Sequence, residues 1–227
     1  MVRLLLSKAA RESEDRRACH AKHAAILMDS PANSGLWGPG NENLVFNSSA
    51  SVAREWIENY SPEEKSQQEQ RQQILEACDS RPDVLLRSCF PGHLTASALV
   101  IDHSCEKVML HHHAKLDRWL QFGGHCDGDG NLAHAAWREC VEESGIEDLW
   151  IYPRVIDVDI HGIPALGGEP AHDHLDIRFL VMTDPDNTPI ISEESKDVRW
   201  FSFEELENVD TDHSVLRLAE LAKLRNR

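Results

Sequence analysis

The 227 residues are 41% hydrophobic and 27% charged, a balance typical of folded proteins that excludes disordered and fibrous classes. A formal charge of −16 repels the phosphates of long nucleic acids, which are normally held by Lys and Arg patches, so no duplex DNA or RNA partner is expected. A small phosphorylated substrate stays open, because a bound cation reverses the local sign. At the N-terminus Leu4 to Leu6 is too short an apolar run for a signal peptide, and Glu12, Glu14 and Asp15 among the arginines argue against a transit peptide. Nothing later approaches a membrane span. Cys19, Cys78, Cys89, Cys105, Cys126 and Cys140 lack CxxC spacing, so a cytoplasmic protein with reduced thiols and no membrane partner is expected.

Residues 1–50 show no sustained periodicity and end in Pro31, Gly35, Gly38, Pro39, Gly40 and Ser48-Ser49, which predicts a loose extension with one local helix. Residues 51–91 read as a helical N-terminal segment. Val52, Trp56, Ile57, Ile74, Leu75 and Cys78 recur at helical spacing, Ser61-Pro62-Glu63-Glu64 marks a helix start, and Gln67 to Gln73 reads as a solvated face. From residue 92 to 227 the pattern is that of one further domain. Leu94 to Ile101 and Lys107 to Leu110 form a predicted hairpin, and a Gly-rich loop (Gly123, Gly124, Gly128, Gly130) leads to a helix from Leu132 to Ser144, stopped by Gly145. Strands follow at Leu149 to Ile160, Leu175 to Met182 and Val198 to Phe203, and Ser214 to Leu224 closes the chain as an amphipathic helix. Strands bracketing helices point to an α/β sandwich.

The helix after the Gly-rich loop carries the chemistry. At 100° per residue, Glu142 and Glu143 fall within about 60° of Glu139, with Ala133, Trp137, Cys140 and Val141 opposite. The three carboxylates are therefore expected to face outward from a buried stripe. Like charges at this spacing repel by some tenths of a kcal/mol, and two of them sit at the helix's negative end. A hard cation such as Mg2+ or Mn2+ offsets that and takes oxygen ligands. Ala135 and Ala136 beside the carboxylates leave room for the Gly-rich loop to approach, while a plain solvated acidic face explains the helix equally well when it is taken alone.

Gly124, Arg138-Glu139, Glu142-Glu143, Gly145 and Ile146 match G-x5-E-x7-R-E-U-x-E-E-x-G-U, with U a bulky apolar residue. In this the chain resembles the Nudix hydrolase superfamily. Gly92-His93-Leu94-Thr95 and Val198-Arg199-Trp200-Phe201 extend the similarity over about residues 92 to 210. The resemblance implies a Nudix-like α/β/α sandwich with a mixed sheet, here preceded by an N-terminal helical extension. It also implies Glu139, Glu142 and Glu143 as cation ligands, the Gly123 carbonyl as a further one, and Arg138 as a brace through carboxylate contacts. Two positions depart from the pattern: Gly130 stands where the first Glu belongs, and Cys140 takes an apolar position. Asp127 or Asp129 is then the expected substitute for the missing carboxylate.

Around this helix, Gly124, His125 and Trp119 are the expected substrate contacts, His125 by donating to a phosphate and Trp119 by stacking on a base or packing under the loop. His172, His174 and Asp176 alternate on a strand, so with Glu169 they make a candidate second metal or phosphate site. His111-His112-His113 reads as a solvated strand end, and Glu193 or Glu194 as a charged turn or a distant acid that positions water. The expected activity is divalent-metal-dependent cleavage of a diphosphate bond in a nucleoside diphosphate linked to another moiety. The alternatives are a Nudix-fold binding or regulatory module, suggested by Gly130, and isomerase chemistry on an isoprenoid diphosphate, suggested by Cys126. Oligomeric state is left open.

Overall fold

The computed structural model describes residues 35–165 and 170–225, so the features expected in residues 1–34 and at Glu169 lie outside the described residues. The predicted helical segment forms α1 (Ala50–Glu58), which buries Ala53 and Ile57, and α2 (Lys65–Ser80), which buries Ile74, Leu75 and Ala77. Strands β1 (Gly92–Asp102) and β2 (Lys107–His113) are the expected hairpin. β3 (Trp119–Leu120) precedes the predicted Gly-rich loop, whose first residues pair instead as a second short strand, β4 (Phe122–His125). The loop-like composition hid β4 because Gly123 and Gly124 have no β propensity of their own. What they offer is backbone approach, since a Cβ on Gly123 would strike Ser97.

Helix α3 (Leu132–Ser144) ends at Gly145, whose φ of 66° is the left-handed stop that only glycine reaches without strain. Then come β5 (Trp150–Ile163), β6 (His172–Thr183), β7 (Ser195–Ser202) and α4 (His213–Arg225). The sheet is mixed. β1 runs parallel to β6 from Gly92 opposite Asp173 to Asp102 opposite Thr183, and its other edge pairs antiparallel with β4 and then β2. β2 carries β3 and β7, and β5 lies antiparallel to β6 at the sheet's margin.

Alternation along β1 sorts the two faces. Leu94, Ala96, Ala98 and Val100 enter a core shared with α1, α2 and α3, whereas Leu99 and Ile101 enter one shared with Val215, Leu218, Ala219 and Ala222 of α4. Helices thus cover both faces, as an α/β/α sandwich requires. Below the α4 core the second face turns polar. Arg178, 1% exposed, contacts Asp176 at 2.8 Å, Asp159 at 3.3 Å and Asp157 at 3.6 Å, and Arg217 from α4 adds bonds to Asp157 and Asp159. Burial alone would lower the Arg178 pKa, but the three aspartates around it raise it, so the cation is kept by its partners.

Gln68, Gln72 and Gln73 of the Gln-rich stretch are exposed as expected, but Gln67 and Gln70 turn inward. Gln67 is 4% exposed and donates to the Val158 carbonyl at 2.8 Å, while Gln70 accepts from the Ile160 N–H at 2.7 Å. These amides satisfy the outer edge of β5, which would otherwise present free ladder groups. Replacing Gln70 with Ala is expected to cost about 1 kcal/mol, read from denaturant unfolding. An unchanged midpoint would mean that water replaces the contact in full.

Residues 35–49 are packed on the domain. Leu36 and Leu44 are both 9% exposed, and the Asn131 side chain donates to the Asn43 and Val45 carbonyls at 2.8 and 3.0 Å. Among the described residues, no helix is long and apolar enough to cross a membrane.

Candidate active site

Ala135 and Ala136 of α3 are fully buried, so β4 lies close against this helix face. Two carboxylates are enclosed as a result. Glu143, expected to face outward, is 6% exposed and accepts from the Gly123 N–H at 2.8 Å. Glu139 lies over Gly124, where an added Cβ would come within 2.5 Å of its Oε2. Glu142 alone stands in solvent. The wheel misassigned the helix because polarity suggested an outward face, whereas the small alanines let the sheet close over it.

Burial pushes the Glu143 carboxyl up to about 8, against the Gly123 N–H that favours its charged form. It pushes Glu139 up to about 7 despite the opposing pull of Arg138. Arg138 binds Glu139 at 2.7 Å and Glu142 at 3.1 Å through one nitrogen, and donates to the His125 carbonyl at 2.8 Å through another. It ties two carboxylates of α3 to the end of β4. Glu194, from the loop before β7, contributes to raising the Glu143 pKa, and so this distant acid does lie within electrostatic reach of the cluster.

The two aspartates proposed to replace the missing box carboxylate part company. Asp129 is 1% exposed and occupied: it accepts from Asn47 N–H at 3.0 Å and Asn131 N–H at 2.9 Å and pairs with His134 at 2.5 Å. Asp127 is exposed, and its charge acts on both Arg138 and Glu139. At Gly130 an added Cβ would land on the Ser49 carbonyl oxygen, so docking of the N-terminal segment explains the glycine.

Other expected contacts fall elsewhere. Trp119 is taken up by packing, stacked on His112 at 5.0 Å, edge-on to Phe201 at 4.9 Å and beneath the Arg199 guanidinium at 5.5 Å. It belongs to the α4 core, across the sheet from α3. His125 meets the carboxylate cluster through its backbone carbonyl, which accepts from Arg138. Its register partner is Thr95, on the far face, and its ring lies 5.1 Å from His93 and 5.3 Å from His174. His172 and His174 do come together, with ring centres 5.2 Å apart, but Asp176 is held by Thr95, Ser97 and Arg178. Burial drives His93 down to about 4 and His174 to about 3. His111 is 2% exposed and bonds Ser195 at 2.7 Å, so this strand end is not solvated. His93 was missed from sequence, because only the parallel pairing of β1 with β6 brings it beside His174.

Comparison with known proteins agrees with this architecture. The NUDIX domain family matches residues 91–219. Similar solved structures include a NUDIX-family hydrolase from Clostridium perfringens, with 26% identity over 59% of this chain and 97% of that one and a TM-score of 0.46. The NUDIX domain of Shewanella oneidensis NrtR, complexed with ADP ribose, shows 16% identity, coverage of 76% and 97%, and a TM-score of 0.50. A C. elegans Ap4A hydrolase complex shows 18% identity, coverage of 58% and 96%, and a TM-score of 0.48. No curated protein matches. With more than half its length matched, and with the carboxylate helix lying against the Gly123-Gly124 strand, this chain belongs to the NUDIX family.

Proposed function

We propose that the protein is a hydrolase, dependent on Mg2+ or Mn2+, that cleaves the phosphoanhydride of a nucleoside diphosphate linked to another moiety. The observation that carries this is the packing of Glu139 and Glu143 against a strand without side chains at Gly123 and Gly124, with Glu142 joined to Glu139 through Arg138. The donor set suits a hard divalent cation, being all carboxylate, with two of the three carboxyls raised by burial, which a bound cation would offset. Glu139, Glu142 and Glu143 would hold it, with the Gly123 carbonyl as a further ligand. When bound, it neutralises phosphate oxygens and acidifies an attacking water.

The chain's own groups do the rest. Arg138 keeps Glu139 and Glu142 in place, Asp127 supplies the charge that Gly130 omits, and Glu194, within electrostatic reach of Glu143, is a candidate for orienting water. Domain limits of 51–91 for the helical segment and 92–227 for the hydrolase unit belong to the same reading, as does a cytoplasmic setting. Neither alternative gains support. Packing against Ser49 gives Gly130 a reason that does not require lost catalysis, and Cys126 is 1% exposed, with a thiol that burial pushes well up, so it makes a poor acid for isomerase chemistry.

The test is incubation of the purified chain with Mg2+ or Mn2+ and a panel of diphosphate compounds, ADP-ribose and Ap4A among them, with nucleotide products separated by chromatography. Release of a nucleoside monophosphate that stops on adding EDTA is expected. No release with any compound or cation would overturn the assignment.

A further inference from the structure

On the face of the sheet turned away from α3, three strands deliver histidines to one place. His93 of β1 lies directly opposite His174 of β6, and His125 of β4 lies opposite Thr95, two residues along β1 and on the same face. The three ring centres are 5.1 to 5.3 Å apart, and one ligand nitrogen from each comes within 4.8 Å of the others. We infer that His93, His125 and His174 form a second metal site, selective for a zinc-class transition ion and separate from the carboxylate cluster.

The hydrogen bonding favours a ligand there. Nε2 of His93 and Nε2 of His174 are buried without a hydrogen-bond partner, and His93 is 1% exposed. A buried polar atom with no partner has lost water and gained nothing, which is rare in folded proteins. Nδ1 of His93 faces the Cys89 carbonyl at 3.4 Å, which places a proton on Nδ1 and leaves the Nε2 lone pair for a ligand, the outer-shell arrangement usual for metal-binding histidines. An ion equidistant from three atoms this far apart would lie about 2.8 Å from each, so each ring need close by less than about 1 Å to reach a zinc–nitrogen bond.

Three neutral imidazoles suit Zn2+ or Co2+ and discriminate against Mg2+, whereas the α3 carboxylates do the reverse. His172 is not among the nitrogens that converge within 4.8 Å, and its ring stacks on His93 with centres 5.0 Å apart. His161 lies 5.4 Å from His174, but its side chain is 41% exposed and its Nδ1 pairs with Asp159 at 3.0 Å. The site has a place in the architecture. The His125 ring would bind the ion while its carbonyl holds Arg138, so an ion here braces β4 from behind. Binding itself does not depend on the proposed hydrolase activity.

The test uses the full chain, stripped of metal by a chelator and then titrated with Co2+ alone, followed by visible absorption and calorimetry. One equivalent with the spectrum of a nitrogen-rich, low-coordinate cobalt is expected, displaced by Zn2+ and retained in Glu139→Gln. His174→Gln and His125→Gln should each weaken it by more than the roughly 10–100-fold typical of outer-shell changes. Because such variants can fold poorly, zinc X-ray absorption of the unaltered chain gives a second readout, in which imidazole scattering is expected. An all-oxygen zinc shell, no saturable Co2+ binding, unchanged affinity in both His variants, or loss of the spectrum in Glu139→Gln would each overturn the site. The last of these would leave the carboxylate cluster as the sole cation site.

Discussion

Glu143→Gln is expected to lower turnover by roughly 10²–10³-fold, the usual effect of removing one electrostatic group from a reacting site. At the same time it should raise the stability of the metal-free chain above neutral pH. Both effects follow from one location. The carboxyl is 6% exposed and meets the Gly123 N–H at 2.8 Å, and glutamine keeps its shape and offers the same acceptor oxygen. The folded carboxyl is raised to about 8 from an ordinary value of 4.5. A raised acid contributes stability that is fully present below the unfolded value and is lost as pH rises through the folded one. Between about pH 5 and pH 8 the wild-type chain therefore loses stability that the glutamine variant keeps, and Glu139, raised to about 7, adds loss of the same sign in both proteins. The difference at pH 9 should be on the order of a few kcal/mol. Thermal unfolding in EDTA across that range reads it, and adding Mg2+ should narrow the gap by stabilising the wild type more. Parallel pH curves for the two proteins would show that the buried carboxyl is not strained, and wild-type turnover in the variant would remove Glu143 from the site.

Local signals carried most of the fold. The helix from Leu132 to Ser144 was legible to the residue because Gly145 supplies its own stop, and the β1–β2 hairpin because apolar runs flank a polar turn. What stayed hidden depends on contacts between distant segments. Glu143 lies inside because β4 crosses Ala135 and Ala136; the alanines did signal the approach of that segment, but a helical wheel does not show how far it closes over the carboxylate. Gln67 and Gln70 look solvated until β5 ends up as the neighbouring margin of the sheet. Alternation did pair His172 with His174, but His93 and His125 reach His174 through the parallel register of β1 with β6 and the antiparallel register of β1 with β4. Trp119 carried no sign of its side of the sheet, and a two-residue strand is too short to show one.

Gly130→Glu would complete the family's carboxylate pattern, and the expected result is a less stable protein with no gain in activity. The obstacle is main chain and not a side chain that can swing aside. A Cβ at this position falls on the Ser49 carbonyl oxygen and within 3.1 Å of the Asn47 carbonyl, which already accepts from the Gly130 N–H at 2.5 Å. Overpacking of this kind costs about 1–3 kcal/mol, and the displaced segment would also give up bonds worth about 1 kcal/mol each. Those bonds run from Asn47 to Asp129 and from Asn131 to Asn43 and Val45. A total on the order of 3 kcal/mol or more follows, with residues 35–49 released first. Denaturant unfolding measures the first effect, and hydrogen exchange over residues 35–49 the second. Greater activity with wild-type exchange would show that a carboxylate was wanted at this position and that the segment yields to it. Faster exchange with unchanged or lower activity would mean that the glycine holds the N-terminal segment against the loop, while Asp127, whose charge acts on Arg138 and Glu139, is left to supply the missing charge.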